Sequence, residues 1–409
     1  MSSCDIFCNV IDNYGDIGVC WRLARQFANE HDLRVRLWVD DLGSFVRLCP
    51  EADVAAEKQP CRGVEVCLWS KPFPDVQPAD LVIEAFACKL PQSYIDTMAA
   101  QKHKPVWINL EYLSAEDWIE GCHRLPSPHP TLPLTKYFFF PGFTGQTGGL
   151  LLERDLLTRR DAFQSDAVQQ QAFWRSMGMD MPGAETLKVS LFGYENAALG
   201  SLFDAWSGGT QPVLCLVPEG RILPQLRQYF ADVGRDSSRH ASCVGIPAGH
   251  KNLCEVNPDL QSYLRGNLRV QVLPFVEQER YDELLWACDV NFVRGEDSFV
   301  RAQWAGNPLI WQIYPQHDTV HLNKLAAFLT LYCGPLGKSA SSAVQGLWQA
   351  WNTESEAGQW WPAFMAARGE LERHAQNWAR QLADNNLALN LLDFSREVGR
   401  MRAFKIEGQ

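Results

Sequence analysis

No stretch of the 409-residue chain approaches the roughly 18 to 20 uncharged apolar residues that cross a bilayer, and Met1-Ser2-Ser3-Cys4-Asp5-Ile6 has no basic segment ahead of its apolar run. These absences predict a cytoplasmic protein with no membrane partner. Positive charge is also in short supply. Thirty-seven Lys and Arg against 48 Asp and Glu leave a net charge of -11, which argues against a protein that holds nucleic acid by broad phosphate neutralisation and leaves room only for a local basic patch. Thirteen cysteines contain no Cys-x-x-Cys pair, and most, such as Cys8, Cys67, Cys88, Cys215 and Cys288, sit inside apolar runs. Buried free thiols are therefore expected, with neither disulfides nor a metal centre. Missing too is the Gly-x-Gly-x-x-Gly pattern of a dinucleotide fold.

What is present is a repeated α/β grammar in a chain long enough for two cores. Residues 4–12 read as a first strand, followed by the loop Asn13-Tyr14-Gly15-Asp16-Ile17-Gly18 and an amphipathic helix with Val19, Cys20, Leu23, Ala24 and Phe27 on one face. Apolar runs at 34–39, 64–69, 80–87 and 105–110 predict further strands, with a helix over 91–101 between the last two. This is the pattern of a parallel, doubly wound sheet. Prolines 126, 128, 130 and 133 then interrupt the periodicity, so the aromatic stretch 136–143 and the glycines up to Gly149 are expected to form loop and interdomain surface. A helix near 166–177 leads to Met181-Pro182-Gly183, a boundary signal. The second half predicts strands at 187–192, 212–217, 268–273, 288–293 and 308–313, with helices at 197–206, 222–233, 278–287 and 322–331. The resulting division is 1–180, 181–340 and a helical tail 341–409 rich in Trp348, Trp351, Trp360, Trp361 and Trp378. Two such α/β halves facing each other would form a cleft.

Two stretches carry candidate chemistry. The first is Asp12 to Gly18 at the end of the first strand. Its glycines are spaced Gly-x-x-Gly and it holds two carboxylates, which repel a pyrophosphate, so a dehydrogenase is disfavoured. Asp12 and Asp16 there suit a general base or a clamp on a cationic acceptor, and equally suit a loop cap and a helix cap. The second is Arg294-Gly295-Glu296-Asp297-Ser298, where an apolar strand meets a helix pattern with Ser298 placed to cap it. A strand's carboxyl end meeting a helix N-terminus favours an anion. The trailing Gly306-Asn307-Pro308, then Pro315, His317, His321 and Asn323, follow the order of the nucleotide-sugar site of GT-B glycosyltransferases. In such a site a departing nucleoside diphosphate is stabilised by helix N–H groups, hydroxyls and cations. No Asp-x-Asp is present to hold a metal.

Taken together, Asp12 to Gly18 with Trp21-Arg22-Leu23-Ala24, Leu273-Pro274-Phe275, Arg294 to Ser298 and Arg301-Ala302-Gln303-Trp304 resemble the bacterial protein-arginine rhamnosyltransferases that modify translation elongation factor P. The resemblance runs from residue 4 to about 400. It implies a GT-B fold of two facing Rossmann-like domains with a central cleft and a helical C-terminal tail. It also implies dTDP-β-L-rhamnose as donor with no further cofactor or metal, and elongation factor P as protein acceptor, glycosylated with inversion on one arginine. Carried over by residue, Asp12 and Asp16 become the acidic pair on the acceptor side, with Asp16 the general base, while Asn13, Tyr14 and Gly15 complete that loop in the substrate site. Glu296, Asp297 and Ser298 become binders of the diphosphate and sugar, helped by Arg294 and Tyr194, and Phe275 stacks on thymine. Glu296, counted with Asp12 and Asp16 among the catalytic residues, contacts sugar hydroxyls or orients Arg294, and Tyr281 either flanks the base or packs against the strand layer. The alternatives are another GT-B nucleotide-sugar transferase, an NAD-dependent oxidoreductase, and a non-enzymatic binding protein.

Overall fold

The computed structural model describes residues 2–11, 14–240, 255–257, 262–315 and 320–407. Asp12, Asn13 and His317 lie outside the described residues. The chain divides into two compact units, Met1–Leu156 with Arg380–Gln409, and Leu157–Ala379. Each is built on a largely parallel sheet.

In the first unit the strands are β1 (Ser3–Cys8), β2 (Arg34–Val39), β3 (Lys58–Cys61), β4 (Val64–Leu68), β5 (Leu81–Ala85), β6 (Val106–Leu110), β7 (Pro126–Pro128) and β8 (Thr135–Phe139). They lie in the order β3-β4-β2-β1-β5-β6-β8-β7. The inner strands are parallel, while β3 and β7 cap the two edges antiparallel. Counting only the parallel strands, the sheet runs 3-2-1-4-5-6, the doubly wound order whose direction reverses between β1 and β5. Strands β5 and β6 are buried along their whole length, as helices on both faces require, which is why they read as unbroken apolar runs. The buried charge in this core is satisfied. Asp5, fully buried in β1, accepts from Arg36 Nε at 2.6 Å, from Arg36 Nη2 at 2.7 Å, from the Ala79 amide at 3.0 Å and from the Tyr94 hydroxyl.

The second unit repeats the plan with β9 (Leu187–Leu191), β10 (Val213–Pro218), β11 (Glu255–Asn257), β12 (Ser262–Arg265), β13 (Leu268–Leu273), β14 (Val290–Arg294) and β15 (Leu309–Gln312), ordered β11-β12-β13-β10-β9-β14-β15. The parallel part, β13-β10-β9-β14-β15, is 3-2-1-4-5, so its reversal falls between β9 and β14. Helices Gln278–Ala287 and Asp297–Ala305 flank β14 in sequence. A bidentate ion pair ties them: Arg301 Nε and Nη2 donate to the two carboxylate oxygens of Asp282, each at 2.8 Å, with both side chains buried.

Three expectations need correction. The aromatic stretch at 136–143 is not all loop, because Thr135–Phe139 is a strand paired parallel to β6. The nearby prolines fall before it, Pro126 and Pro128 in the edge strand β7, where a missing N–H costs little, and Pro130 and Pro133 in the connection that follows. Ser298 does not cap its helix. The N-cap is Glu296, without a side-chain cap bond. The division of the chain also falls at Leu156/Leu157 and not near 180, because the helices Leu156–Ser165 and Ala167–Ser176 belong with the second core: Phe163 packs on Trp286 at 5.8 Å and Arg160 Nη1 donates to the Trp304 carbonyl at 2.8 Å. The tryptophan-rich tail is itself divided. Trp351 packs on Phe292 at 5.1 Å, Trp361 on Trp206 at 5.2 Å, and Trp378 Nε1 donates to Gln303 Oε1 at 2.6 Å, all within the second unit. From Arg380 onward the chain returns to the first, where Phe394 packs on Tyr137 at 5.4 Å and Asn386 Nδ2 donates to the Leu152 carbonyl at 2.6 Å.

That return passes through a close approach at Gly149, whose φ is +78° and where a Cβ would fall 2.0 Å from the Asn385 carbonyl oxygen. Gly149→Ala is expected to lower the unfolding free energy by at least about 1–2 kcal/mol through strain and the lost Leu150–Asn386 bridge. Denaturant unfolding reads this directly. All eleven described cysteines are free, and all but Cys122 are buried. No helix among the described residues is long and apolar enough to cross a membrane.

Candidate functional site

In the second unit the carboxyl ends of β9, β10, β13, β14 and β15 deliver side chains to one edge of the sheet, at the reversal between β9 and β14. Arg294, the last residue of β14, is the centre of this edge. Its Cζ lies over two aromatic rings that follow β9, 4.4 Å from the centroid of Phe192 and 4.4 Å from that of Tyr194. The guanidinium is buried, at 6% exposure, and its Nη1 has no protein partner. Burying a permanent cation against two π faces with a donor unspent is costly unless an anion arrives.

The surroundings hold this arginine in place. Ser298, the second residue of the next helix, uses its hydroxyl twice on the Arg294 backbone, accepting from the amide at 3.0 Å and donating to the carbonyl at 2.5 Å. Its role is to lock the strand-to-helix turn. The Tyr194 amide donates to Gln312 Oε1 at 2.9 Å, fixing the end of β9 to β15, and the Tyr194 ring meets Tyr314 edge-on at 5.5 Å. Asp297 accepts from Gln278 Nε2 at 3.4 Å, and Trp311 Nε1 donates to the Gly295 carbonyl at 2.7 Å. Glu296 and Asp297 remain partly exposed at the helix start, where the backbone dipole favours a negative group. Phe275, just beyond β13, is half-buried. Tyr281 is buried, with its ring edge-on to Phe192 at 5.7 Å, and burial pushes its hydroxyl pKa well up, so it is protonated at neutral pH. From the helix Gln278–Ala287 it packs against Phe192, which follows β9.

In the first unit the reversal lies between β1 and β5. Helix Gly15–Glu30 begins with Tyr14 at its N-cap and no side-chain cap bond, so Asp16 is not the cap. It sits in the first turn, only 4% exposed, and its Oδ2 accepts from the Ile11 amide at 3.0 Å, joining the two ends of the loop. Beside this loop is a cavity of about 540 Å³ lined by residues including Asn9, Ile11, Asp40, Trp69, Phe86 and Ala87. Phe86 and Ala87, which follow β5, both have φ of +55°. Two consecutive non-glycine residues in the left-handed region cost about 1–3 kcal/mol each, and such strain concentrates at functional sites. Tertiary bonds impose it: the Phe86 amide donates to the Leu110 carbonyl at 2.7 Å, the Ala87 amide to Asn109 Oδ1 at 3.2 Å, and the Phe86 ring stacks on Tyr112 at 4.5 Å.

The structure thus brings Tyr194, Tyr281, Arg294, Glu296, Asp297, Ser298 and Phe275 to one sheet edge of the second unit, and places Tyr14, Gly15 and Asp16 in the corresponding position of the first. Sequence reasoning missed Phe192, the second ring under Arg294, and Gln312, which fixes Tyr194. The signal for Phe192 was available: it ends an apolar run and shares a side of the extended chain with Tyr194, two residues on.

Comparison with known proteins finds relatives along nearly the whole chain. A family model described as elongation-factor P (EF-P) rhamnosyltransferase EarP matches residues 4–396. The chain is 51% identical over 394 residues to a protein-arginine rhamnosyltransferase of Pseudomonas putida, covering 96% of this chain and 98% of that one. It is 48% identical over 395 residues to the Pseudomonas aeruginosa protein of the same name, covering 96% and 99%. A solved structure described as the structural basis for EarP-mediated arginine glycosylation of translation elongation factor EF-P is similar with a TM-score of 0.64 at 38% identity, covering 97% of this chain and 99% of that one.

Proposed function

Since the chain belongs to the EF-P rhamnosyltransferase EarP family, a family of glycosyltransferases, we propose that it transfers L-rhamnose, with inversion, from dTDP-β-L-rhamnose to one arginine side chain of translation elongation factor P. Membership sets aside the oxidoreductase and the non-enzymatic readings. The observation that carries the donor half is Arg294: a buried guanidinium with a free Nη1 at the reversal of a doubly wound sheet, where a diphosphate satisfies the unspent donor. Glu296 and Asp297 take the sugar hydroxyls, and Phe275 stacks on thymine. No metal or cofactor is assigned.

The acceptor poses the harder problem. A guanidinium of pKa above 12 is a poor nucleophile because its lone pairs are delocalised into a cation. Asp16, with Asp12, pairs with the cation, aligns one nitrogen with the anomeric carbon and accepts its proton as the C–N bond forms. The bond from the anomeric carbon to the phosphate oxygen breaks on the opposite face, and the electron pair leaves with dTDP. Arg294 and the helix N-terminus at Asp297 stabilise the charge that develops there.

Intact-mass measurement of elongation factor P after incubation with this protein and dTDP-rhamnose tests the whole reading. A gain of one deoxyhexose, absent when the acceptor arginine is replaced by lysine, is expected, and an unchanged mass overturns it. Phe275→Ala is expected to weaken dTDP binding by roughly 10-fold through lost base stacking. Calorimetry showing unchanged affinity would remove Phe275 from the base site.

A further inference from the structure

A second guanidinium converges on the ring that Arg294 uses. Arg221 stands in the turn between β10 and the helix Leu223–His240, with its Cζ 6.0 Å from the centroid of Tyr194. The two arginines thus reach one ring from the carboxyl ends of β10 and β14, the strands on either side of β9. Gly220 permits the approach, since a Cβ there would lie 3.3 Å from Cε2 of Phe192. With glycine the turn closes onto Phe192, and Arg221 reaches the neighbouring ring. The two cations differ in setting. Arg294 is buried and held at its backbone by Ser298, whereas Arg221 is exposed and, among the described residues, no carboxylate pairs with it. Like charges gathered around one aromatic ring repel each other, and an anion bound beside both relieves that repulsion.

We propose that Arg221 is a second phosphate-binding residue of the donor site, an exposed guanidinium that follows the charge developing on the leaving nucleoside diphosphate while Arg294 holds the resting diphosphate. This rests on the reading of the second unit as the nucleotide-sugar site. Arg221 gives up no proton. As the bond between the anomeric carbon and the phosphate oxygen breaks, the electron pair stays on dTDP, and the side chain donates charge-assisted hydrogen bonds to the phosphate that gains it. Since Arg294 is fixed before the reaction, the residue free to follow this charge contributes more to the transition state than to the bound substrate.

The test compares Arg221→Gln and Arg221→Lys with wild type, using dTDP and thymidine as calorimetric probes and steady-state rhamnosyl transfer as the kinetic readout. Arg221→Gln is expected to lose about 10-fold or more in dTDP affinity with unchanged thymidine affinity. Its kcat is expected to fall by roughly 10–100-fold with a smaller change in the donor KM. Arg221→Lys should recover part of both losses. Wild-type dTDP affinity and kcat in Arg221→Gln would overturn the proposal while leaving the donor site standing. Equal losses for dTDP and thymidine would also overturn it, since they would mean a general distortion. Failure of the wild-type protein to bind dTDP would instead overturn the donor-site reading itself.

Discussion

Asp16→Asn is expected to lower kcat for arginine rhamnosylation by roughly 10²–10⁴-fold, the usual contribution of a positioned general base, while leaving dTDP-rhamnose affinity within about twofold. The substitution is nearly isosteric. The asparagine carbonyl oxygen still accepts from the Ile11 amide, the bond that Asp16 makes at 3.0 Å, so the tie between Ile11 and the head of helix Gly15–Glu30 is kept. In the proposed role two things are lost, the negative charge that would pair with the acceptor guanidinium and the ability to take its proton. Both act on the acceptor, so donor binding by Arg294 and its neighbours is untouched. Single-turnover transfer followed by intact mass, with calorimetric donor affinity alongside, separates these effects. Turnover close to wild type would remove Asp16 from the proton-accepting role, and a parallel collapse of donor affinity would mark it as structural.

Arg301→Met is expected to destabilise the second unit by about 3–5 kcal/mol, the cost of leaving one member of a buried ion pair alone. Arg301 and Asp282 are only 1% and 3% exposed, and their bidentate bonds join the helices Gln278–Ala287 and Asp297–Ala305. Without the guanidinium, Asp282 remains as a desolvated carboxylate with two strong acceptors to satisfy. The double variant Arg301→Met, Asp282→Leu is expected to recover most of the loss, because an apolar pair of similar volume carries no desolvation penalty. Denaturant unfolding of the single and double variants distinguishes the cases. A single variant within about 0.5 kcal/mol of wild type would mean that water reaches the pair. The same helices frame the turn that carries Arg294 to Ser298, so the single variant should also lose dTDP affinity.

The parallel strands were legible because they are largely buried, along their whole length in Leu81–Ala85 and Val106–Leu110 and on alternate residues at the start of Leu268–Leu273. Arg34–Val39 and Leu268–Leu273 fall where their apolar and β-branched residues predict, and the helix Gln278–Ala287 matches its expected limits. The short antiparallel strands were not legible. Lys58–Cys61, Pro126–Pro128 and Ser262–Arg265 are short and only partly buried, so their pairing is dictated by a neighbouring strand and leaves little pattern in their own residues. Thr135–Phe139 was hidden by the prolines that precede it. Ser298 was recognised as important for a reason the structure changes: its hydroxyl bonds the Arg294 backbone and makes no helix cap.

By itself the sequence determined that this protein is two α/β units with an acidic loop at the end of the first strand and an Arg-Gly-Glu-Asp-Ser turn late in the second half, because apolar runs and strand-to-helix turns are encoded in neighbouring residues. It also determined the family, whose motifs lie in those turns. Only the tertiary structure decided where the units divide, that the tryptophan-rich tail belongs to two cores, and that Arg294 lies over Phe192 and Tyr194 with Arg221 approaching the same ring. The last of these joins residues about a hundred positions apart. Such contacts are set by the order of strands in a sheet and leave no periodicity in the chain, so the anion site around Arg294, hinted at by one turn, is made by three strands whose ends meet only in the folded sheet.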